Sequence, residues 1–196
     1  MKTSALWLAS AVLLAACDRA TPPAPPAAVQ PAATAAANPD AELAALQALT
    51  PVDACARISL EDLRQVYPDV PFALQQALAP RLSGYVWDSR CVYVAGQGSV
   101  EGAPDAVTQM VEVYVATAAT PAAAQSALQS GQALAQSTAG YQALSALGEG
   151  AYAITQTGAV SIYFVRDQSQ VQIQVMALSS PNPQKLEQAL ALAALY

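Results

Sequence analysis

The stretch that decides the fold runs from Val160 to Val175, Val-Ser-Ile-Tyr-Phe-Val-Arg-Asp-Gln-Ser-Gln-Val-Gln-Ile-Gln-Val. Two β-rich segments, Val160–Val165 and Val171–Val175, flank the turn sequence Asp167-Gln168-Ser169. A third strand, Ala151–Thr155, is predicted before them across a Thr-Gly turn. Consecutive strands joined by short turns form an antiparallel meander.

The segment Val107–Val115 has the clearest alternation in the chain, with valines at every second position from Val111 to Val115. This period predicts a strand with one buried face. A helix is predicted from Thr120-Pro121 to Gln136, and another opens at Asn182-Pro183. The predicted inner face of the first helix is Ala124, Ala127, Leu128, Gly131, Leu134 and Ala135. The predicted face of the second is Leu186, Ala189, Leu190 and Ala193.

Before these elements the sequence predicts three short helices. The first runs from Asp40 to Leu49, and the second begins at Ser59, where Asp62 occupies the acidic position of a capping box. The third is Phe72–Leu78, which ends before Pro80.

Two strands, Tyr85–Trp87 and Cys91–Ala95, are predicted next, with Asp88-Ser89-Arg90 as the hairpin turn between them. The full order of helices, strands, helix, strands and helix is typical of an α+β fold. We therefore expect an antiparallel sheet with packed helices, as a two-layer or three-layer sandwich, in one domain over residues 40–196.

The N-terminus carries Lys2, an apolar run from Ala5 to Ala16, and Cys17. An apolar run this short is typical of a secretory signal, because a transmembrane helix needs about 20 residues. Leu14-Ala-Ala-Cys17 resembles the lipobox of bacterial lipoproteins. The resemblance implies a signal peptide over residues 1–16, a diacylglycerol thioether on Cys17 and acylation of the new N-terminus. A plain signal peptide that ends near a cysteine is the alternative.

After Cys17, the resemblance implies that Asp18 favours retention in the inner membrane, and the outer membrane stays open. Residues 17–39 are rich in proline and alanine and are predicted to be a disordered, extended tether. Acyl chains on Cys17 would then hold the domain to the membrane on its periplasmic side.

Composition excludes several function classes. The formal net charge is −6, and the chain has no histidine. Acidity argues against nucleic-acid binding, which needs clustered Lys and Arg. The missing histidine removes the commonest general base and metal ligand, so no metal and no cofactor are expected. Cys55 and Cys91 are expected to form a disulfide in an exported protein, with a reactive thiol as the alternative.

The remaining candidate sites are weak. Gly96-Gln97-Gly98 with Gly102 precedes a strand rather than a helix, which favours a hairpin loop over a phosphate loop. Nothing aligns the carboxylates as a catalytic pair, and no enzymatic activity is predicted. These carboxylates are Asp53, Glu61, Asp62, Glu112 and Glu149. A candidate sugar- or peptide-binding surface, with core packing as the alternative, consists of Tyr85, Trp87, Tyr93 and Tyr114.

Three stretches together resemble a group of small secreted bacterial lipoproteins of unknown function, well represented in actinobacteria. They are Cys55-Ala-Arg-Ile-Ser59 with the helix after it, Cys91-Val-Tyr93, and Leu147-Gly-Glu-Gly-Ala-Tyr152. The resemblance covers roughly residues 52–195. It implies a Cys55–Cys91 disulfide and an α+β sandwich similar to the PsbP type, and it brings no catalytic residues.

These observations predict a membrane-anchored periplasmic lipoprotein with a non-enzymatic binding or accessory role, whose partner is a protein of the envelope. One alternative is an inhibitor or immunity lipoprotein, whose acidity would complement a basic envelope-targeting enzyme. The other is a carrier of a small ligand or lipid, which would need a deep apolar cavity.

Overall fold

A seven-stranded antiparallel sheet organises the chain. The computed structural model describes residues 38–96, 109–177 and 180–196. Its strands are β1 Ala73–Ser83, β2 Val86–Ala95, β3 Gln109–Thr117, β4 Tyr141–Ala143, β5 Tyr152–Gln156, β6 Ala159–Arg166 and β7 Ser169–Ala177. Its helices are α1 Pro39–Gln47, α2 Ala54–Arg57, α3 Leu60–Val66, α4 Pro121–Ala135 and α5 Asn182–Leu195. The strand order in the sheet is β1-β2-β3-β7-β6-β5-β4.

The core lies on one face of the sheet, which we call the inner face. Val111, Val113 and Val115 of β3 are fully buried there with Ile173 of β7 and Phe164 of β6, because side chains alternate between the faces of a strand. Helices α2, α3 and α5 cover this face. The α+β prediction and its antiparallel sheet are confirmed.

Helix α4 lies on the opposite face, which we call the outer face. Its Leu128 and Ala135 are buried against Tyr152, and Tyr163 packs at the edge of the same cluster. The fold therefore has three layers over part of the sheet: helices, sheet, and α4. We call the outer face of β4, β5 and β6, with the part of β7 that α4 contacts, the covered half, and the outer face of β1, β2 and β3, with β7 at Gln172, the open half.

Local sequence explains most element boundaries. Ser59 and Asp62 form the predicted capping box at the start of α3, and Thr120 caps α4 through the Ala123 amide. The meander of β5, β6 and β7 is confirmed, with Asp167 in the left-handed region at φ 53° in the second turn. Helix α1 begins at Pro39 rather than Asp40, because Asn38 is the capping residue.

Two predictions for residues 72–90 are wrong. Phe72–Leu78 was predicted as a helix, yet Ala73–Ser83 is the edge strand β1, with Pro80 at an irregularity of its pairing with β2. Asp88-Ser89-Arg90 is not a turn but the middle of β2. The chain turns instead at Gly84, whose φ of 61° suits the first central position of a two-residue hairpin.

The inner face predicted for α4 is wrong at two positions, because Ala127 is exposed and Leu134 is 78% exposed. None of the helices in the described ranges has the length and apolarity needed to cross a bilayer. Residues 1–37 lie outside the described part, so the signal peptide, Cys17, Asp18 and the tether stay predictions.

Candidate functional site

The open half of the sheet contains a polar groove of about 370 Å³, which we call the sheet groove. Strands β1, β2, β3 and β7 supply its lining. The lining residues are Leu78, Arg81, Asp88, Ser89, Arg90, Glu112, Tyr114 and Gln172. Charged side chains collect on this part of the sheet, where no helix of the described residues packs to exclude water.

Strand register brings the groove residues together. Arg81 of β1 lies opposite Asp88 of β2 in the hairpin, and Arg90 lies opposite Tyr114 of β3. Tyr114 in turn lies opposite Gln172 of β7. Directly opposed residues in an antiparallel sheet share a face, so these side chains form neighbouring rows across the groove.

Two ion pairs fix the charges of the groove. Arg81 donates from Nε to Asp88 Oδ1 and from Nη2 to Asp88 Oδ2, each at 3.2 Å. Arg90 Nη2 donates to Glu112 Oε2 at 2.7 Å. In both pairs the carboxylate is the more buried partner: the side chains of Asp88 and Glu112 are 13% and 15% exposed, against 68% and 40% for Arg81 and Arg90.

Each carboxylate favours the charged form of the guanidinium with which it pairs. The hydrogen bond to Asp88 raises the pKa of Arg81, and the hydrogen bond to Glu112 raises that of Arg90. Arg90 Nε is buried and has no hydrogen-bond partner. Burial raises the pKa of Tyr114, Asp88 raises it further, and Arg81 lowers it. The Tyr114 hydroxyl therefore stays protonated at neutral pH and can both donate and accept.

This arrangement suits recognition better than proton transfer. Both carboxylates of the groove are engaged by guanidiniums, so neither is a free general base. The exposed guanidinium edges and the Tyr114 hydroxyl are instead available to a bound molecule. Fixed donors and acceptors beside an aromatic ring provide orientation and specificity to a ligand or a partner surface.

The four aromatic residues predicted as one binding surface do not share a face. Tyr93 is buried on the inner face, where its hydroxyl donates to the Ile58 carbonyl. Trp87 lies on the same face and donates from Nε1 to the Leu46 carbonyl at 2.8 Å. Tyr85 is in the hairpin turn and is 54% exposed. Of the four, only Tyr114 lines the sheet groove.

The Cys55–Cys91 disulfide is present, with an S–S distance of 2.06 Å, and joins α2 to β2 on the inner face. The other candidate carboxylates do not face one another across a cleft. Asp53 and Asp62 accept hydrogen bonds from backbone amides at helix starts. Glu61 pairs with Arg64, and Glu149 accepts a hydrogen bond from Gln129.

Two further predictions concern loops and metals. Gly96 is described, but Gln97, Gly98 and Gly102 lie outside the described residues. Within residues 38–96, 109–177 and 180–196, no three cysteine or carboxylate side chains are close enough to hold a metal ion. The expectation that no metal is bound stays a prediction.

Arg81, Asp88 and Arg90 are groove residues that the predicted elements do not bring together. The sequence pattern places Asp88 and Arg90 in a predicted turn and Arg81 after a predicted helix. The signal for Asp88 and Arg90 is the alternation of Trp87, Ser89, Cys91 and Tyr93, which marks one continuous strand with both residues on its other face.

Comparisons with known proteins show a similarity of fold. No protein-family model matches the chain, and no curated protein matches it. Among solved structures, it is similar to the extracellular domain of PknH from Mycobacterium tuberculosis, with a TM-score of 0.51 and 10% sequence identity. The match covers 74% of this chain and 96% of that domain. At this identity the chain shares with that extracellular domain its fold alone.

Proposed function

We propose that this chain is a lipid-anchored binding protein of the bacterial cell envelope, and that its domain recognises a partner protein through the sheet groove without catalysing a reaction. The lipobox Leu14–Cys17 supports the anchor. The disulfide supports an exported location, because such bonds persist in oxidising compartments. The similarity to an extracellular domain agrees with this location.

The observation that carries the proposal is the pairing of charges in the sheet groove. Arg81 with Asp88 and Arg90 with Glu112 hold four charged groups in fixed positions on a part of the sheet against which none of the described helices packs. Conformations fixed before binding reduce the entropy lost on association. Each carboxylate of the groove already has a guanidinium partner, which supports binding rather than catalysis.

Neither the inhibitor alternative nor the carrier alternative is supported by a specific observation on the sheet groove. An inhibitor of a basic enzyme would present unpaired carboxylates, whereas the groove carboxylates each have a guanidinium partner. A lipid carrier would present an apolar cavity, whereas four charged side chains line this groove. For the anchor, we keep Cys17 acylation with inner-membrane retention through Asp18 as the favoured location and the outer membrane as the alternative.

Site-specific photocrosslinking in the native cells tests the groove. A photoreactive residue replaces Leu78, which lines the groove and is 36% exposed, or Leu134 on α4, which is 78% exposed. Because Leu134 is more exposed than Leu78, non-specific crosslinking should be stronger at Leu134, the control position. We expect one protein to crosslink at Leu78 and not at Leu134, and mass spectrometry identifies it.

A double variant with unchanged net charge tests whether the crosslink depends on the ion pairs. Combining Arg90→Gln with Glu112→Gln leaves the net charge unchanged and removes one ion pair, so the crosslink at Leu78 should weaken. Equal crosslinking at Leu78 and Leu134 would reject the groove as the binding site. So would crosslinking at Leu78 that the double variant does not weaken. Cys17→Ala should move the protein from the membrane fraction to the soluble fraction, and intact mass should show acyl chains only on the parent chain.

A further inference from the structure

Two arginines stand apart from the others in the described chain. Arg64, Arg81 and Arg90 each form an ion pair. Arg57 and Arg166 have no carboxylate of the described residues within 4.0 Å. Both nevertheless line one pocket of about 250 Å³ that shares no residue with the sheet groove. We call it the arginine pocket.

Aromatic rings hold both guanidiniums. The Arg57 guanidinium carbon lies 5.6 Å from the centre of the Tyr196 ring, and that of Arg166 lies 5.9 Å from the centre of the Phe164 ring. Contact with a ring uses the face of a guanidinium and leaves the N–H groups at its edge available. Both residues are exposed, so these donors are accessible.

Polar groups complete the arginine pocket. Thr50 and Gln168 contribute a hydroxyl and an amide to the lining. The charged side chains of the lining are the two arginines and Asp167. The Tyr196 hydroxyl is buried without a hydrogen-bond partner. Burial raises the pKa of Tyr196 to about 12, Arg57 lowers it and Asp167 raises it, so both charges act on this hydroxyl.

We propose that the arginine pocket binds a phosphate group. A guanidinium donates two parallel hydrogen bonds to a pair of oxygens, so two guanidiniums suit a group with at least three unesterified oxygens. A phosphate monoester has three such oxygens, one more than a carboxylate or a phosphodiester. Asp167 opposes the bound anion and limits its affinity. The phosphate belongs either to a phospholipid headgroup or to a soluble phosphorylated compound.

NMR titration of the full chain carrying Cys17→Ser, which carries no acyl chain, with inorganic phosphate tests the proposal. We expect saturable shifts of the Arg57 and Arg166 Nε–H signals and none at Arg64. Arg57→Gln and Arg166→Gln should each weaken phosphate binding at least tenfold. Arg64→Gln, which removes the same charge elsewhere, should leave it unchanged. Thermal unfolding verifies that each variant is folded, which their exposed positions favour.

Asp167→Asn should strengthen phosphate binding, which gives a further check of the arginine pocket. Asparagine tolerates the left-handed backbone of position 167 and removes the opposing charge, so phosphate should bind several-fold more tightly. Sedimentation with vesicles that contain phosphatidic acid, whose headgroup is a phosphate monoester, distinguishes the sources. Vesicle binding that Arg57→Gln abolishes assigns a lipid headgroup, and phosphate binding without vesicle binding assigns a soluble compound. Absence of saturable phosphate shifts, or equal shifts at Arg64, would overturn the proposal.

Discussion

The two halves of the outer sheet face differ in chemistry although they belong to one sheet. In the covered half, Tyr152 stacks on Tyr163 with ring centres 4.6 Å apart, and Tyr141 lies 6.0 Å from Tyr152. Helix α4 buries this group through Leu128. In the open half, the same face carries the ion pairs of the sheet groove. Helix α4 therefore covers an aromatic region that stabilises the fold, whereas none of the described helices packs on the charged region.

This difference has an energetic consequence. The covered half is packed against helices on both faces, whereas no helix of the described residues packs on the outer face of the open half, although Val92 and Val94 of β2 are buried there. The disulfide joins α2 to β2 beneath the open half. We infer that the disulfide offsets the missing outer layer, which makes its loss the most damaging change.

Removing the disulfide should have the largest effect. The bond closes a separation of 36 residues, and loops of this length stabilise a fold by about 3–4 kcal/mol in the chain-entropy model. The variant carrying both Cys55→Ala and Cys91→Ala should lose about that much free energy of unfolding in urea. Hydrogen exchange should rise more in β2 than in β6. A uniform rise across the sheet would contradict the special dependence of the open half.

The second-largest effect on the free energy of unfolding should come from removing a buried side chain of α4. Leu128→Ala removes a fully buried side chain from the covered half and should lower the free energy of unfolding by about 2–4 kcal/mol. Leu134→Ala on the same helix should change it by no more than about 0.5 kcal/mol, because Leu134 is exposed. Equal effects in urea denaturation would show that α4 does not pack as described.

A close approach between α4 and the tyrosines gives a third prediction. A Cβ atom at Gly131 would lie 2.9 Å from the Tyr152 hydroxyl oxygen. Alanine is favoured over glycine in a helix by about 1 kcal/mol, but this contact should make Gly131→Ala destabilising. In the Tyr152→Phe background, which lacks the hydroxyl, Gly131→Ala should become stabilising. Additive effects in a double-mutant cycle would rule out the contact.

The sequence predicts an element correctly where its local residue pattern matches the burial and contacts of that element in the fold. The valines of β3 alternate because one face of the strand is buried, and Ser59 with Asp62 caps α3 through purely local contacts. The prediction is wrong for β1, whose Ala-Leu-Gln-Gln-Ala-Leu residues favour a helix. Pairing with β2 overrides that preference.

The ion pairing across the sheet groove could not be predicted from local sequence, for a related reason. Arg90 and Glu112 are 22 residues apart, and the strand register alone brings them together. Once Asp88 and Arg90 were assigned to a turn, no face could be given to their charges. Likewise, aromatic residues on neighbouring strands do not reveal from composition which side of the sheet they occupy.

Alkaline pH should lower the stability of the fold through its buried tyrosines, and the covered half contributes two of them. Burial raises the pKa of Tyr152 and of Tyr163 above the value of about 10 expected in an unfolded chain. Their contribution to stability is complete below pH 10 and is lost as the pH rises through the folded-state pKa values. The free energy of unfolding should therefore fall above pH 10, and Tyr152→Phe should make the fall shallower. An unchanged slope would show that Tyr152 does not titrate differently in the fold.

The ion pairs of the open half should contribute least to stability, and this sharpens the contrast between the halves. Arg81 is largely exposed, so Arg81→Gln should change the free energy of unfolding by no more than about 0.5 kcal/mol. Arg90→Gln leaves the more buried Glu112 without its partner and should cost about 1 kcal/mol, reduced at high salt. Urea denaturation at two salt concentrations measures both. If either substitution matched Leu128→Ala, the groove charges would be structural, because side chains kept for binding should be nearly dispensable for folding.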